Sequence, residues 1–203
     1  MARLRTFIAV PLGKAIQDRC AALQQELGRG GADLKWVEYE NLHVSLLFLG
    51  EVDERDVPDV CRVTTTACAD LEAFTLTVEG VGCFPNPRRP RVVWVGLSEG
   101  GPELVALHDA VEAPLLDLGC YRREERQYTP HVTLGRVKGE RGTDRLAAAL
   151  AHHAGWHGGT ALVREVHVLS SQLTPQGPIY GILSRAHLRV PGRPDAGARQ
   201  QKE

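Results

Sequence analysis

Short runs of alternating apolar and polar residues recur along the chain and predict β-strands. A period of two places every second side chain on the same face of a strand. The runs are bounded by Gly, Pro, Asn and Asp, which are typical of turns. The predicted strands cover residues 5–12, 34–37, 42–50, 74–84, 91–97, 131–137, about 160–172 and about 179–190.

Four other segments carry apolar residues at intervals of three and four, the spacing of an α-helix with one buried face. Residues that favour helix ends mark their limits: Pro58 and Pro102 lie near starts, Gly28 and Gly119 act as stops, and Thr143 is the expected N-cap. The predicted helices cover residues 14–27, about 55–68, 102–118 and 143–153.

The order of these elements repeats. The stretches "LHVSLLFLG" and "HVTLGRV" place His43 and His131 at equivalent points, 131 − 43 = 88 positions apart. The same shift maps the helix starts at 14 and near 55 onto those at 102 and 143, and the opening strand 3–11 onto 91–99. A chance alignment of elements is the alternative to a true internal repeat.

The repeat predicts an α+β fold that is bilobal. Two similar lobes of antiparallel sheet, with helices outside, would surround a central cleft and be related by a pseudo-two-fold axis. We expect a single domain over residues 1–190. Residues 191–203 contain almost no apolar side chains and are predicted to be a disordered tail.

Composition limits the classes of partner. The formal net charge of −1 excludes a global basic field for nonspecific binding of duplex nucleic acid. The absence of an 18-residue apolar run argues against a membrane span. Five cysteines, an odd number without a Cys-x-x-Cys motif, suggest reduced thiols and a cytoplasmic location.

The two histidine motifs carry the candidate chemistry. Strand alternation puts His43 and Ser45 on one face, and likewise His131 and Thr133. Two strands meeting at a cleft would gather two imidazoles and two hydroxyls. A protonated and a neutral histidine form an acid–base pair, and hydroxyls donate to an oxyanion. These are the groups that in-line attack on a phosphodiester requires.

The histidines have other possible roles. A single His-x-Ser on a strand is usually a surface or core feature, so the doubled motif carries the argument. A zinc site would need an acidic ligand, and neither motif strand has one at suitable spacing. The stretch "HHAGWH" (152–157) is more typical of a helix end than of a metal site. A serine hydrolase would need an elbow motif that is absent. We therefore expect neither metal nor cofactor.

The ordered motifs resemble those of the 2H phosphoesterase superfamily, and within it the RNA 2′,3′-cyclic phosphodiesterase family, also called 2′-5′ RNA ligase. The likeness covers roughly residues 3–190. It is carried by "RLRTFIAVPL", "WVEYENLHVSLLFLG", "RVVWVGL", "YTPHVTLGRV" and "LSSQLTPQGPIY".

The resemblance implies a metal-independent hydrolysis of RNA 2′,3′-cyclic phosphate ends to 2′-phosphomonoesters, and in some members reversible 2′-5′ ligation. By position, His43 would protonate the leaving 3′-oxygen and His131 would activate water. Ser45 and Thr133 would hold phosphate oxygens. Ser45 stands where Thr is commoner, which keeps the hydroxyl.

Arg136 matches an arginine of the family's second motif that contacts phosphate. Strict alternation would send it to the face opposite His131, but Gly135 could permit a bulge that turns it inward. Phe48 and Phe7 are candidates for stacking on a base or ribose, although a place in the core is the interpretation that we favour for both. Two arginine groups could guide RNA ends or be solvated loops: Arg88, Arg89 and Arg91, and Arg122, Arg123 and Arg126.

Two further hypotheses remain open at this point. One is a module that binds RNA ends without turnover. The other keeps the enzyme but changes its substrate to ADP-ribose cyclic phosphate or a 2′-5′ oligonucleotide. The expected partners are RNA ends or small cyclic nucleotides, with no membrane contact, and the protein is expected to be a monomer.

Overall fold

The computed structural model describes residues 2–123, 125–175 and 177–190, so the predicted tail 191–203 lies outside the described residues. The strands are β1 (Arg3–Pro11), β2 (Leu34–Trp36), β3 (His43–Asp53), β4 (Phe74–Phe84), β5 (Val92–Glu99), β6 (Val132–Val137), β7 (His157–Val163), β8 (Glu165–Leu173) and β9 (Pro178–His187). The helices are α1 (Lys14–Gly28), α2 (Val57–Ala69), α3 (Gly101–Asp117) and α4 (Thr143–His152), with a short 3₁₀ helix at Tyr39–Asn41.

Most predicted elements are confirmed, and two details are wrong. The predicted strand 160–172 is two strands, β7 and β8, separated at Arg164. The alternation of apolar and polar residues runs through both strands without a visible break. The division appears only in the pairing, because β7 pairs with β4 whereas β8 pairs with β1 and β9. The N-cap of α4 is Gly142 with φ of 74°, not Thr143, whose hydroxyl donates to the Glu140 carbonyl instead.

All nine strands belong to one antiparallel sheet in the order β7-β4-β5-β6-β3-β1-β8-β9, with β2 paired to the side of β6. The two repeats meet where β3 pairs with β6, through the register pair Val44 and Val132. These residues are also 132 − 44 = 88 positions apart, so the repeats join at equivalent positions. The antiparallel α+β class is confirmed; because the sheet is continuous, the division into two lobes stays a prediction.

The opening strands do not follow the predicted shift of 88. Ser45 pairs with Ala9 on β1, whereas its counterpart Thr133 pairs with Trp94 on β5. Ala9 therefore corresponds to Trp94, a shift of 94 − 9 = 85. A constant offset missed this because the connections between the opening strands and the motif strands differ in length.

The main core lies between the sheet and the helices. Side chains with no more than 1% exposure, including Ile8, Leu104 and Leu134, fill it. The buried amide of Gln24 on α1 donates to the carbonyls of Leu134 and Val37 at 2.8 and 2.9 Å, which ties α1 to β6. None of the helices described in the structure is long and apolar enough to cross a membrane.

All five cysteines are free. Cys20 and Cys68 are fully buried, and burial raises the pKa of each thiol to about 12. Since a thiol is reactive as the thiolate, these two side chains behave as small core residues.

We expect Gly135→Ala to lower the free energy of unfolding by about 1–3 kcal/mol, the usual cost of overpacking. A Cβ at Gly135 would lie 2.8 Å from Trp36 Cε3 and 3.1 Å from the Lys35 carbonyl oxygen. Gly155→Ala is the matched control, because its Cβ would meet nothing within 4 Å. Urea denaturation of both variants measures the difference; equal stabilities would contradict the tight approach of β2 to β6.

Candidate functional site

The two motifs share one face of the sheet, which we call the histidine face. Val44 and Val132 are fully buried in the core, so the residues on either side of each point to the opposite face. Because the strands are antiparallel, His43 lies opposite Thr133 and Ser45 lies opposite His131. His43 and His131 are thus diagonal neighbours, which in a regular sheet lie about 7–8 Å apart. This register brings the two motifs together on neighbouring strands of one sheet, whereas the sequence led us to expect two strands facing each other across a cleft.

The His43 ring is held at both nitrogens. Nδ1 donates to the Asn41 carbonyl at 2.7 Å, because a carbonyl can only accept. In the neutral ring Nε2 then lacks a proton and accepts a hydrogen bond from the Ser45 hydroxyl, 2.8 Å away. The backbone carbonyl therefore fixes the tautomer and orients Nε2 toward the histidine face.

His131 repeats half of this arrangement. Its Nδ1 donates at 2.7 Å to the Thr129 carbonyl, two residues earlier, as His43 does to Asn41. Nε2 of neutral His131 consequently carries the free lone pair, the form needed in a general base. Thr133 lies half-buried on the same face, two residues farther along β6.

Both histidine pKa values are lowered from the ordinary value of 6.5. Burial is the main cause for each ring, and the hydrogen bond to the backbone carbonyl acts in the opposite direction. Positive charge on His131 further lowers the pKa of His43, and the Arg136 guanidinium does the same to His131. His131 is therefore close enough to His43, and Arg136 to His131, for the charge of one group to affect the pKa of the next.

Aromatic rings surround each imidazole. Phe7 and Tyr180 lie 5.3 and 5.7 Å from the His43 ring, centroid to centroid. Phe84 and Trp94 lie 5.2 and 6.5 Å from the His131 ring. Sequence reasoning did not identify Tyr180, Phe84 or Trp94, because each comes from a strand distant in sequence from its histidine. Tyr180 and Trp94 could have been found from the sequence, because they lie in the segments "GPIY" and "VVWVGL", which carry the family resemblance.

Equivalent bulges place Phe48 and Arg136 on the histidine face. The pairing of β3 with β1 skips Leu46, and the pairing of β6 with β5 skips Leu134, its counterpart in the repeat. Strict alternation was therefore the wrong guide for Arg136, and a bulge near Gly135 turns it inward. Phe48 is 50% exposed and stacks on Phe7 at 5.9 Å, so it is not a core residue.

Phe7 itself is buried, with 3% of its surface exposed. It contacts the rings of His43, Phe48 and Tyr180 in a small cluster separate from the main core. Phe7 therefore supports the His43 ring and presents little surface to a ligand.

Tyr128 links the two motifs, and sequence reasoning missed it. It precedes Thr129, yet its hydroxyl donates at 3.0 Å to the carbonyl of Ser45 on the other motif strand. Its ring stacks on His108 of α3 at 4.4 Å between centroids with an interplanar angle of 9°. Burial raises the pKa of Tyr128, so the hydroxyl remains a donor at neutral pH.

The remaining candidates lie farther from the histidines. Arg123 pairs with Glu112 at 2.9 Å, and the other arginines of the two predicted groups are exposed. In the "HHAGWH" stretch, His153 pairs with Glu26 at 2.8 Å. Within residues 2–123, 125–175 and 177–190, no group of three or more His, Cys, Asp or Glu side chains could hold a metal ion.

We expect NMR titration to give pKa values below 6.5 for both His43 and His131, because each ring is partly removed from solvent. Arg136→Gln removes a nearby positive charge, so the pKa of His131 should rise. The imidazole Cε1–H resonances report this pKa. They are recorded at low ionic strength, where exposed charges are least screened. Arg164→Gln, an exposed arginine outside the site, serves as control. A His131 pKa that is the same in both variants would contradict the placement of Arg136.

Comparison with known proteins gives matches along most of the chain. A model described as the 2′-5′ RNA ligase superfamily matches residues 14–174. An RNA 2′,3′-cyclic phosphodiesterase of Methanothermobacter thermautotrophicus is 38% identical over 179 residues, which cover 88% of this chain and 95% of the relative.

Solved structures share the fold. The crystal structure of TT0787 of Thermus thermophilus has a TM-score of 0.77 at 26% identity, covering 93% of this chain and 100% of that one. E. coli LigT complexed with 3′-AMP has a TM-score of 0.73 at 24% identity, covering 92% and 98%. With the family match and the curated relative, the prediction that the chain is an enzyme is confirmed, and the chain belongs to the 2′-5′ RNA ligase superfamily of 2H phosphoesterases.

Proposed function

We propose that the protein hydrolyses RNA 2′,3′-cyclic phosphate ends to 2′-phosphomonoesters with His43 and His131 as the acid–base pair. One observation carries the proposal: both imidazoles lie on one face of paired strands, and each is bound at Nδ1 by a backbone carbonyl. Each Nε2 is thereby left for proton transfer. The relative from M. thermautotrophicus bears the name of this activity, which supports the assignment.

The reaction needs one histidine in each protonation state. Neutral His131 takes a proton from water through Nε2 as the water oxygen attacks phosphorus. The bond to the ribose 3′-oxygen breaks on the opposite side, and protonated His43 gives its Nε2 proton to that oxygen. The products are a 2′-phosphomonoester and a free 3′-hydroxyl. His131 ends protonated and His43 neutral, and exchange with solvent restores both.

Protonation of His43 also changes the role of Ser45. In the neutral ring, the Ser45 hydroxyl donates to Nε2. Once Nε2 carries a proton it no longer accepts, so the hydroxyl becomes available to donate to a phosphate oxygen. The state that is ready to protonate the leaving group is thus also the state in which Ser45 can hold the phosphate.

Positive charge favours the anionic substrate. Arg136 is exposed on the histidine face, and its guanidinium can donate two parallel hydrogen bonds to a phosphate. Thr133 supplies a second hydroxyl, and Phe48 offers an exposed ring that can stack on the ribose. The negative charge of a bound phosphate opposes the effect of burial on the histidines, which favours protonated His43 in the complex.

The same groups could catalyse 2′-5′ ligation when the 5′-hydroxyl of another RNA replaces water. His131 would then take the proton of that hydroxyl, and His43 would again protonate the 3′-oxygen. A cytoplasmic location and a monomeric state remain part of the proposal and follow from sequence expectations alone.

We expect wild-type protein to hydrolyse nucleoside 2′,3′-cyclic phosphates in EDTA to the 2′-phosphate. His43→Ala and His131→Ala should each lower kcat by roughly 10²–10⁴-fold, the usual contribution of an acid or base. His152→Ala, an exposed histidine at the end of α4, is the control. Product chromatography with isomer standards gives both rate and product.

Three outcomes of that assay would count against the proposal. A 3′-phosphate product would reverse the leaving group. Binding of 2′-phosphate ends without turnover would favour the RNA-end binding module. Turnover confined to ADP-ribose cyclic phosphate or 2′-5′ oligoadenylate, tested in parallel, would favour another substrate for the same site.

We expect Tyr128→Phe to lower kcat about tenfold with little change in KM. The variant keeps the ring stacked on His108 but removes one donor to the Ser45 carbonyl, so β3 loses a contact with the segment that precedes β6. Tyr121→Phe is the matched control, since it removes a buried hydroxyl bonded to Glu112 at 3.2 Å. Similar losses of kcat in both variants would mean that the effect is one of general stability.

A further inference from the structure

A groove of about 640 Å³ opens beside His43, a size typical of small-ligand sites. It reaches His43 and Tyr180 but does not touch His131. Its residues come from the end of β1, the 3₁₀ helix, β8 and β9: Ala9, Pro11, Leu12, Gln17, Glu38, Glu40, Asn41, Leu42, His43, His167, Leu169, Thr174, Gly177, Pro178, Ile179, Tyr180 and Ile182.

The repeat itself explains why the groove lies beside His43. Ala9 and Trp94 occupy equivalent positions, each paired with the motif hydroxyl residue of its own half. Beside His131 the Trp94 ring lies across Gly82 and against Phe84, with its centroid 6.5 Å from that of the His131 ring. Beside His43, Ala9 has only a methyl group, so the same volume is open. The two halves of the site are therefore different in shape.

The charge of the groove limits what it can hold. In the described part of the chain, no lysine or arginine lines it, whereas Glu38 and Glu40 do, and the Glu38 carboxylate lies beside Gly177, another lining residue. On the floor, His167 pairs with Ala9 in register and is held by Glu165 at 2.7 Å. Carboxylates repel phosphate, so a polynucleotide backbone is disfavoured there. A neutral ring with hydrogen-bond donors fits the charge and the apolar walls, which include Leu169 and Ile182.

We infer that this groove binds the terminal nucleobase of the cyclic-phosphate end, and that Glu38 favours bases with an exocyclic amino group. The inference rests on the proposed function. If His43 protonates the 3′-oxygen, the ribose lies on the His43 side of the phosphorus, and its base extends into the adjoining groove. A carboxylate accepts from the amino groups of adenine, cytosine or guanine. In uracil, the one ring N–H is flanked by two carbonyl oxygens that a carboxylate repels.

The first test compares bases. Substrates are the 2′,3′-cyclic phosphates of adenosine, cytidine, guanosine and uridine, and that of methyl riboside, which carries a methoxy group in place of the base. For the wild type, kcat/KM should be at least about tenfold lower for uridine, and lower still for the base-free compound, as expected from one lost hydrogen bond to a charged group. Glu38→Gln should remove the preference over uridine; Glu103→Gln, a carboxylate on α3 outside the groove, should keep it.

The second test narrows the groove. Ile182→Trp should lower the ratio of kcat/KM for adenosine over the base-free substrate about tenfold. Leu162→Trp is the matched control, since Ile182 and Leu162 are both 45% exposed and Leu162 lies on β7, away from the groove. Thermal melting checks that both variants fold; if Ile182→Trp does not, the Glu38→Gln comparison decides.

The outcomes separate this inference from the activity on which it rests. If the wild type hydrolyses none of the five substrates, the proposed function is overturned. Hydrolysis of the base-free compound as efficiently as the nucleotides would leave the activity standing and overturn the groove. Equal responses of Ile182→Trp and Leu162→Trp, or a preference over uridine that is unchanged in Glu38→Gln, would also overturn it.

Discussion

The pairing of β3 with β6 is the constraint on which the site depends. Val44 and Val132 are buried in one core and paired in one register, so four polar side chains emerge together on the other face. A slip by one residue would bury the imidazoles and expose the valines, which the hydrophobic core opposes. Tyr128, in the segment that precedes β6, adds a second connection to β3. The energy that folds the sheet is thus also the energy that brings the two histidines together.

Backbone carbonyls then set the chemistry of each ring. Since Asn41 and Thr129 each accept from Nδ1, Nε2 is the nitrogen that points away from the backbone in both histidines. Partial burial among aromatic rings lowers both pKa values, while Arg136 provides a charge that a bound phosphate can balance. Identical backbone contacts in both halves give two rings with the same tautomer, and their different neighbours can give them different protonation states.

Local patterns predicted the strands, helices and motif residues because periodicity and end signals are encoded within a few neighbouring residues. Features set by distant pairing were not predictable in this way. The division of 160–172 into two strands depends on which strands lie beside them, and the contact of Tyr128 with Ser45 joins residues far apart in sequence. Arg136 shows an intermediate case: alternation gave the wrong face, although Gly135 marked the place where a bulge was possible. The equivalence of Ala9 and Trp94 required the observed register.

The presence of both repeats on one polypeptide has a consequence for how such a site can evolve. In a homodimer with an isologous interface, every residue occurs twice, so any change on one side of the axis is copied on the other. A site built that way could not carry alanine beside one histidine ring and tryptophan beside the other. Nor could it place a phenylalanine beside one bulge and an arginine beside the equivalent bulge, the positions of Phe48 and Arg136 here. Covalent linkage of the copies frees each to vary alone, and a reaction with distinct entering and leaving groups benefits from that freedom.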